Sequence, residues 1–211
     1  MFNYITIGYD CSPAAALKNL HIRTFALPFD WVVSTISALD KCFRDNFRQY
    51  HRTLHYSHNK TRLIDAYGFE FPHDYPTNIQ SMKGEDVHSL FHEEIEKESV
   101  ITENEIVKNW ADYHEIVLAK YNRRIQRFLN IMNDPAPIIV LCRYTTRDIL
   151  QLQKLFLKYY HKENIYFINS SNEVYANDKI INIHTEKNGE WNDLTIWKSC
   201  IDKVIAKIDR V

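Results

Sequence analysis

Cys11 follows the short apolar run Asn3 to Ile7, which stops at Gly8, and precedes Ser12, Pro13 and the helix-forming run Ala14-Ala15-Ala16-Leu17-Lys18. A cysteine between a strand and the first turn of a helix lies near unpaired backbone N–H groups and the positive end of the helix dipole, a setting that favours the nucleophilic thiolate. The same N–H groups could serve as an oxyanion hole, so the chemistry to expect is acyl transfer or another hydrolysis. The competing reading of a lone cysteine is buried packing. Cys42, Cys142 and Cys200 fall on apolar positions and read as core; the four thiols follow no C-x-x-C spacing, which points to a reducing compartment.

Other constellations carry less. His88 and His92 stand four apart with Glu93 beside them, but no third ligand is identifiable, and solvated histidines on an acidic helix are the stronger reading; His51, His55 and His58 read the same way. No metal is therefore implied. Lys120, Arg123, Arg124 and Arg127 form a basic strip that could grip phosphate or carboxylate, as could Arg23, against the default of a solvated or ion-paired face. Gly8 lacks the companions of a G-x-G-x-x-G loop, so no dinucleotide cofactor is expected.

The elements that must position these residues follow from periodicity. Asn3 to Ile7 predicts a strand, His21 to Phe25 a second extended piece, and Ser34 the cap of a helix whose apolar positions Ile36, Leu39, Phe43 and Phe47 recur every three or four residues. His51 to Lys60 reads as a surface loop, and Leu63 to Phe71 as a strand. Asp86 to Glu98 reads as a surface helix, and Thr102 with Glu105 as a capping box opening a long helix with the stripe Ile106, Trp110, Tyr113, Val117, Tyr121, Ile125, Phe128 and Met132. After Pro137 come a strand (Ile138 to Cys142), a helix capped by Thr145, strands at Ile165 to Ile168 and Lys179 to Ile183, and a last helix from about Asn192. Alternation at this spacing predicts an α/β fold, a mainly parallel sheet with helices on both faces in three layers. The first strand can join that sheet, giving a single α/β domain over residues 1–211 with a helical insertion at about 85–133. A helical N-terminal lobe with a C-terminal α/β lobe is the alternative.

Gly8, Cys11, Ala15, Leu17-Lys18, Leu20, Arg23, then Leu27-Pro28-Phe29-Asp30-Trp31 and Ser34, resemble a specific family, the papain-like cysteine peptidases known as a domain of unknown function in bacteria and large DNA viruses. The likeness continues at Phe71-Pro72-His73-Asp74, at Lys120 to Phe128, and at Leu141-Cys142-Arg143. The resemblance implies a cofactor-free cysteine–histidine hydrolase acting on a protein or peptide, with Cys11 as nucleophile and His73 as general base. Asp74 adjoins His73 directly and is poorly placed to orient its ring, so Asp30 is the better third member and Asp10 a weaker one; a turn or cap role for Asp30 stands beside that reading. A papain-like fold would pack a helix against an antiparallel sheet, whereas the spacing of strands and helices here predicts a parallel one.

Composition bounds the alternatives. A formal net charge of −1 gives no basic field that would attract nucleic acid or an anionic membrane. No run approaches the roughly 20 apolar residues of a membrane span, and nothing near Met1 reads as a secretory signal, so an intracellular setting is expected, in a host cell or virion for a viral member. Two rivals to the hydrolase remain. One is a non-catalytic binding or virion-type structural protein; the other takes phosphorylated or nucleotide ligands on Arg23 or the Arg123–Arg127 strip.

Overall fold

The computed structural model describes residues 2–77, 105–171, 173, 175–184 and 193–209, so the helix expected over Asp86 to Glu98, with His88 and His92, and Thr102 of the expected capping box lie outside the described residues. The chain forms two compact units, Met1–Thr24 with Asn130–Val211 (unit 1) and Phe25–Leu129 (unit 2).

Unit 1 is the α/β fold that the alternation predicts. Strands β1 (Asn3–Gly8), β5 (Ile138–Arg143), β6 (Ile165–Ser171) and β7 (Ile180–His184) form one parallel sheet in the order β1-β5-β6-β7. Helices α1 (Ser12–Asn19) and α5 (Leu194–Ile208) cover one face, where Ala16, Leu17, Trp197, Ile201 and Val204 bury Ile139, Leu141 and Ile168. Helix α4 (Thr146–Tyr160) covers the other, packing Phe156 on Phe167. Covered on both sides, the central strand β5 has five successive buried residues, Ile138 to Cys142, instead of an alternating pattern. The cap of α4 is the expected one, Thr145 accepting from the Asp148 N–H at 3.2 Å. His21 to Phe25, expected to be extended, is instead turn and bend, with His21 in the left-handed region at φ 53°.

Unit 2 holds the short antiparallel sheet β2 (His55–Tyr56), β3 (Leu63–Ile64), β4 (Glu70–Phe71), with helix α2 (Ile36–Arg44) and most of helix α3 (His114–Asn133). Thr35 rather than Ser34 caps α2, accepting from the Ala38 N–H at 3.1 Å. The strand expected from Leu63 to Phe71 is broken in two because the buried Asp65 carboxylate gathers a turn, its Oδ1 accepting from the N–H groups of Tyr67, Gly68 and Phe69 at 2.9–3.0 Å. Gly68 supplies the φ of +97° that this turn needs. The long helix begins at His114, after a 3₁₀ turn at Trp110–Tyr113, while Ile106 of the expected stripe instead bridges to Thr77.

The core of unit 2 is aromatic. Phe29 lies within 5.3–5.9 Å, centroid to centroid, of Phe43, Phe47, Tyr50, Phe69 and Phe128. His51, expected in a surface loop, is buried against Phe71 and Tyr121, while His55 and His58 are exposed. The His51 Nε2 is 2.8 Å from the Tyr75 hydroxyl, which lies 3.2 Å from the His114 Nδ1, and the His51 Nδ1 is buried without a hydrogen-bond partner. Burial lowers the His51 pKa to about 3; Asp74 opposes that shift, while His114, Lys120 and Arg124 reinforce it.

Truncating the centre of this core should cost about 3–5 kcal/mol, the range for a buried Phe→Ala change, so Phe29→Ala should lower the urea midpoint sharply and Phe29→Leu much less. His51 gives a second expectation. The folded protein resists a proton that the unfolded chain accepts near pH 6.5, so the contribution is intact above that pH and is lost as pH falls toward 3. Between pH 7 and pH 5 this amounts to about 2 kcal/mol. Urea unfolding of His51→Phe at both pH values should show a loss smaller than wild type by that amount; equal losses would show that His51 does not carry the slope.

Candidate active site

The turn carrying Cys11 is built by the end of β1 and the start of α1. The N-cap of α1 is Cys11 itself, at φ −84° and ψ −5°, and its carbonyl accepts the first helical bond from the Ala15 N–H at 3.0 Å. Pro13 sits in the first turn, where its missing N–H costs nothing. Asp10 ties the turn together: its Oδ1 accepts from the Ser12 N–H at 2.9 Å and the Ser12 hydroxyl at 2.7 Å, and its Oδ2 accepts from the Arg143 guanidinium. Arg143 reaches it because β1 and β5 pair in parallel with Gly8 opposite Arg143; a Cβ on Gly8 would stand 3.2 Å from the Arg143 nitrogen, so a side chain there would press on β5.

Two first-turn positions are thereby closed to any oxyanion role, Ser12 because its N–H serves Asp10 and Pro13 because it has no N–H. Cys11 is half-buried, whereas Cys42, Cys142 and Cys200 are buried, and burial raises the pKa of all three. The core role expected for those three is what the structure shows.

His73 and Asp30 belong to unit 2. His73 leaves β4 through Pro72 and is half-buried, its ring edge-on to Trp31 at 6.4 Å between centroids. Burial holds its imidazole below the ordinary value, with Asp74 pulling the other way and Arg62 and Lys120 adding to the lowering, so at neutral pH it is unprotonated. Within unit 2 no described side chain hydrogen-bonds that ring. Asp30, one residue before Trp31, is buried and holds its own turn, its Oδ2 accepting from the Leu27 N–H at 2.8 Å. Its charge also faces Arg124.

Asp74 turns away into a buried ion network, with Lys120 Nζ at 2.5 Å on Oδ1 and the Tyr121 hydroxyl donating to Oδ2 at 2.7 Å. Burial alone would raise its pKa, but Lys120, then Arg124 and His51, hold the carboxyl well below the usual range. Arg124 itself is buried and stacks on Tyr121, 5.2 Å from the ring centroid; burial lowers its pKa and the charges of Asp74 and Asp30 oppose that.

The strip Arg123, Arg124, Arg127 is therefore not one surface. Arg123 is exposed, Arg124 is buried on Asp74 and Asp30, and Arg127 reaches the Ala26 carbonyl at 3.5 Å over the ring of Phe25. Arg23, in unit 1, donates to the Tyr4 carbonyl at 3.3 Å.

Sequence reasoning missed two arrangements. The Asp10–Arg143 pair had one visible signal, an arginine at the end of a strand predicted to join the sheet of β1. The His51–Tyr75–His114 series had none, because no spacing rule links residues whose burial is decided by packing.

A family model described as "Putative papain-like cysteine peptidase" matches residues 2–166, which takes in all of unit 2 and β1, α1, β5 and α4 of unit 1. No curated protein and no solved structure matches the chain. With well over half its length matched, and with the Cys11 turn and the Pro-Phe-Asp-Trp segment inside the match, the chain belongs to the family of papain-like cysteine peptidases that this model describes.

Proposed function

We propose that the protein is a cysteine hydrolase acting on a protein or peptide, with Cys11 as nucleophile and His73 as general base. The observation that carries this reading is Cys11 itself, the one half-buried thiol of the four, placed at the N-cap of α1 beyond the carboxyl end of a parallel strand. The family supports the reaction class. A neutral imidazole that no side chain among the described residues of its own unit hydrogen-bonds suits His73 to take the thiol proton. The Cys11 sulfur then attacks the substrate carbonyl, the imidazolium protonates the departing amine, and water, deprotonated by the same ring, hydrolyses the thioester. Asp30 is the proposed orienting carboxylate.

A second reading, a non-catalytic binding or structural protein, takes its support from the local duties of both aspartates. Asp30 bonds the backbone of its own turn, and Asp10 occupies Ser12 and Arg143. On that reading Cys11 and the Pro-Phe-Asp-Trp segment serve packing.

Alkylation by iodoacetamide, followed site by site across pH, separates the two. The hydrolase should show Cys11 reacting ahead of Cys42, Cys142 and Cys200 with a midpoint well under the free-thiol value of about 8.5, and His73→Ala should move that midpoint up toward it. Cys11→Ala should abolish hydrolysis of any substrate found and leave the free energy of unfolding in urea within about 1 kcal/mol of wild type. Equal rates at Cys11 and the buried thiols would favour the binding protein.

A further inference from the structure

Beyond the carboxyl ends of β1, β5 and β6 lies a cleft of about 290 Å³ in unit 1, lined by Tyr9, Arg143, Tyr144, Thr145, Ser171 and Glu173 among others. Crevices outside the carboxyl ends of parallel strands are where open α/β sheets take ligands. This one is small by the standard of ligand pockets, sized for a compact group.

Its polar groups are biased toward donors. The Thr145 hydroxyl already accepts from the Asp148 N–H at 3.2 Å, and the Ser171 hydroxyl from the Glu173 N–H at 3.1 Å, so each has its proton to give. Arg143, with its side chain 36% exposed, spends one N–H on Asp10 and has a planar fork with further donors. Glu173, the one carboxylate among the described lining residues, is engaged by the Thr146 N–H at 2.8 Å, and hydrogen bonding to Thr146 holds it below the usual carboxylate range.

One wall is apolar and fixed. The rings of Tyr9 and Tyr144 meet edge to face at 4.8 Å, the Tyr9 hydroxyl donates to Asp148 at 3.0 Å, and the buried Asn169 amide brackets the Tyr144 backbone, accepting from its N–H at 2.8 Å and donating to its carbonyl at 2.9 Å. Asp10 orients the guanidinium by accepting one of its N–H groups on Oδ2. A cation with spare donors, two hydroxyl protons and an aromatic wall select an anion carried on a short carbon chain.

We propose that this cleft is a binding site for a carboxylate on a short aliphatic chain, held by Arg143 with Ser171 and Thr145. The site stands on unit 1 alone and does not depend on Cys11 being reactive.

The test is a titration of the ¹⁵N-labelled full chain with glutarate, followed by the backbone amide signals of Arg143, Ser171 and Thr145, with glutaramide and inorganic phosphate as separate arms. Glutarate should shift these signals saturably, glutaramide should not, and Arg143→Gln should weaken glutarate at least tenfold. Arg143→Lys keeps the charge facing Asp10 but loses the fork, and should weaken it at least threefold with signals outside the cleft unchanged; it decides the matter where Arg143→Gln disturbs the fold. Absence of saturable shifts, or unchanged binding in Arg143→Lys, would overturn the site. Phosphate binding as tight as glutarate would overturn the carboxylate assignment.

Discussion

The parallel pairing of β1 with β5 is the constraint on which unit 1 depends. Asn3 to Gly8 must find Ile138 to Arg143 far later in the chain, and all of unit 2 is threaded between them. Parallel strands cannot be joined by a tight turn, so the crossover is where an insertion is tolerated. The register of this pair sets Gly8 against Arg143, and from there Arg143 reaches Asp10, Asp10 holds Ser12, and the turn around Cys11 takes its shape.

Unit 2 is organised by a different balance. Its aromatic core around Phe29 provides burial, and inside that core sit polar groups with partners of their own: Asp65 with backbone N–H groups, Asp74 with Lys120 and Tyr121, and His51, at its Nε2 alone, with Tyr75. A buried ion pair of this kind adds little net stability against an apolar alternative, yet removing one partner is costly, because the other charge is left unpaired. The Pro-Phe-Asp-Trp segment belongs to both sides of that balance. Phe29 fills the core, Asp30 ties its own turn and faces Arg124, and Trp31 takes the left-handed conformation at φ 61° with its ring against His73.

The strands and helices of unit 1 were legible because period and capping are local. Ile138 to Cys142 reads as a buried strand, Thr145 as a cap, and the alternation as a parallel sheet, all without knowledge of contacts. Where the reading missed, long-range packing had overridden local preference. Asp65 converts an expected strand into a turn between two short ones, and His51 is drawn from an expected loop into the core. Arg123 and Arg124 of the basic strip are neighbours on a helix, so one faces solvent and the other the interior.

By itself, then, the sequence determined the parallel α/β class, the core role of three cysteines, the strand-to-helix setting of Cys11 and the family. Each of these rests on residues close in the chain or on an ordered series of short motifs. Only the tertiary structure decided which charges are spent on the fold and which face open space. Asp74 and Arg124 are consumed by burial, while Arg143, a single residue at a strand end, gains a partner and a cleft from the pairing of strands remote in sequence. Burial and partnership are properties of the packed chain, and no local pattern encodes them.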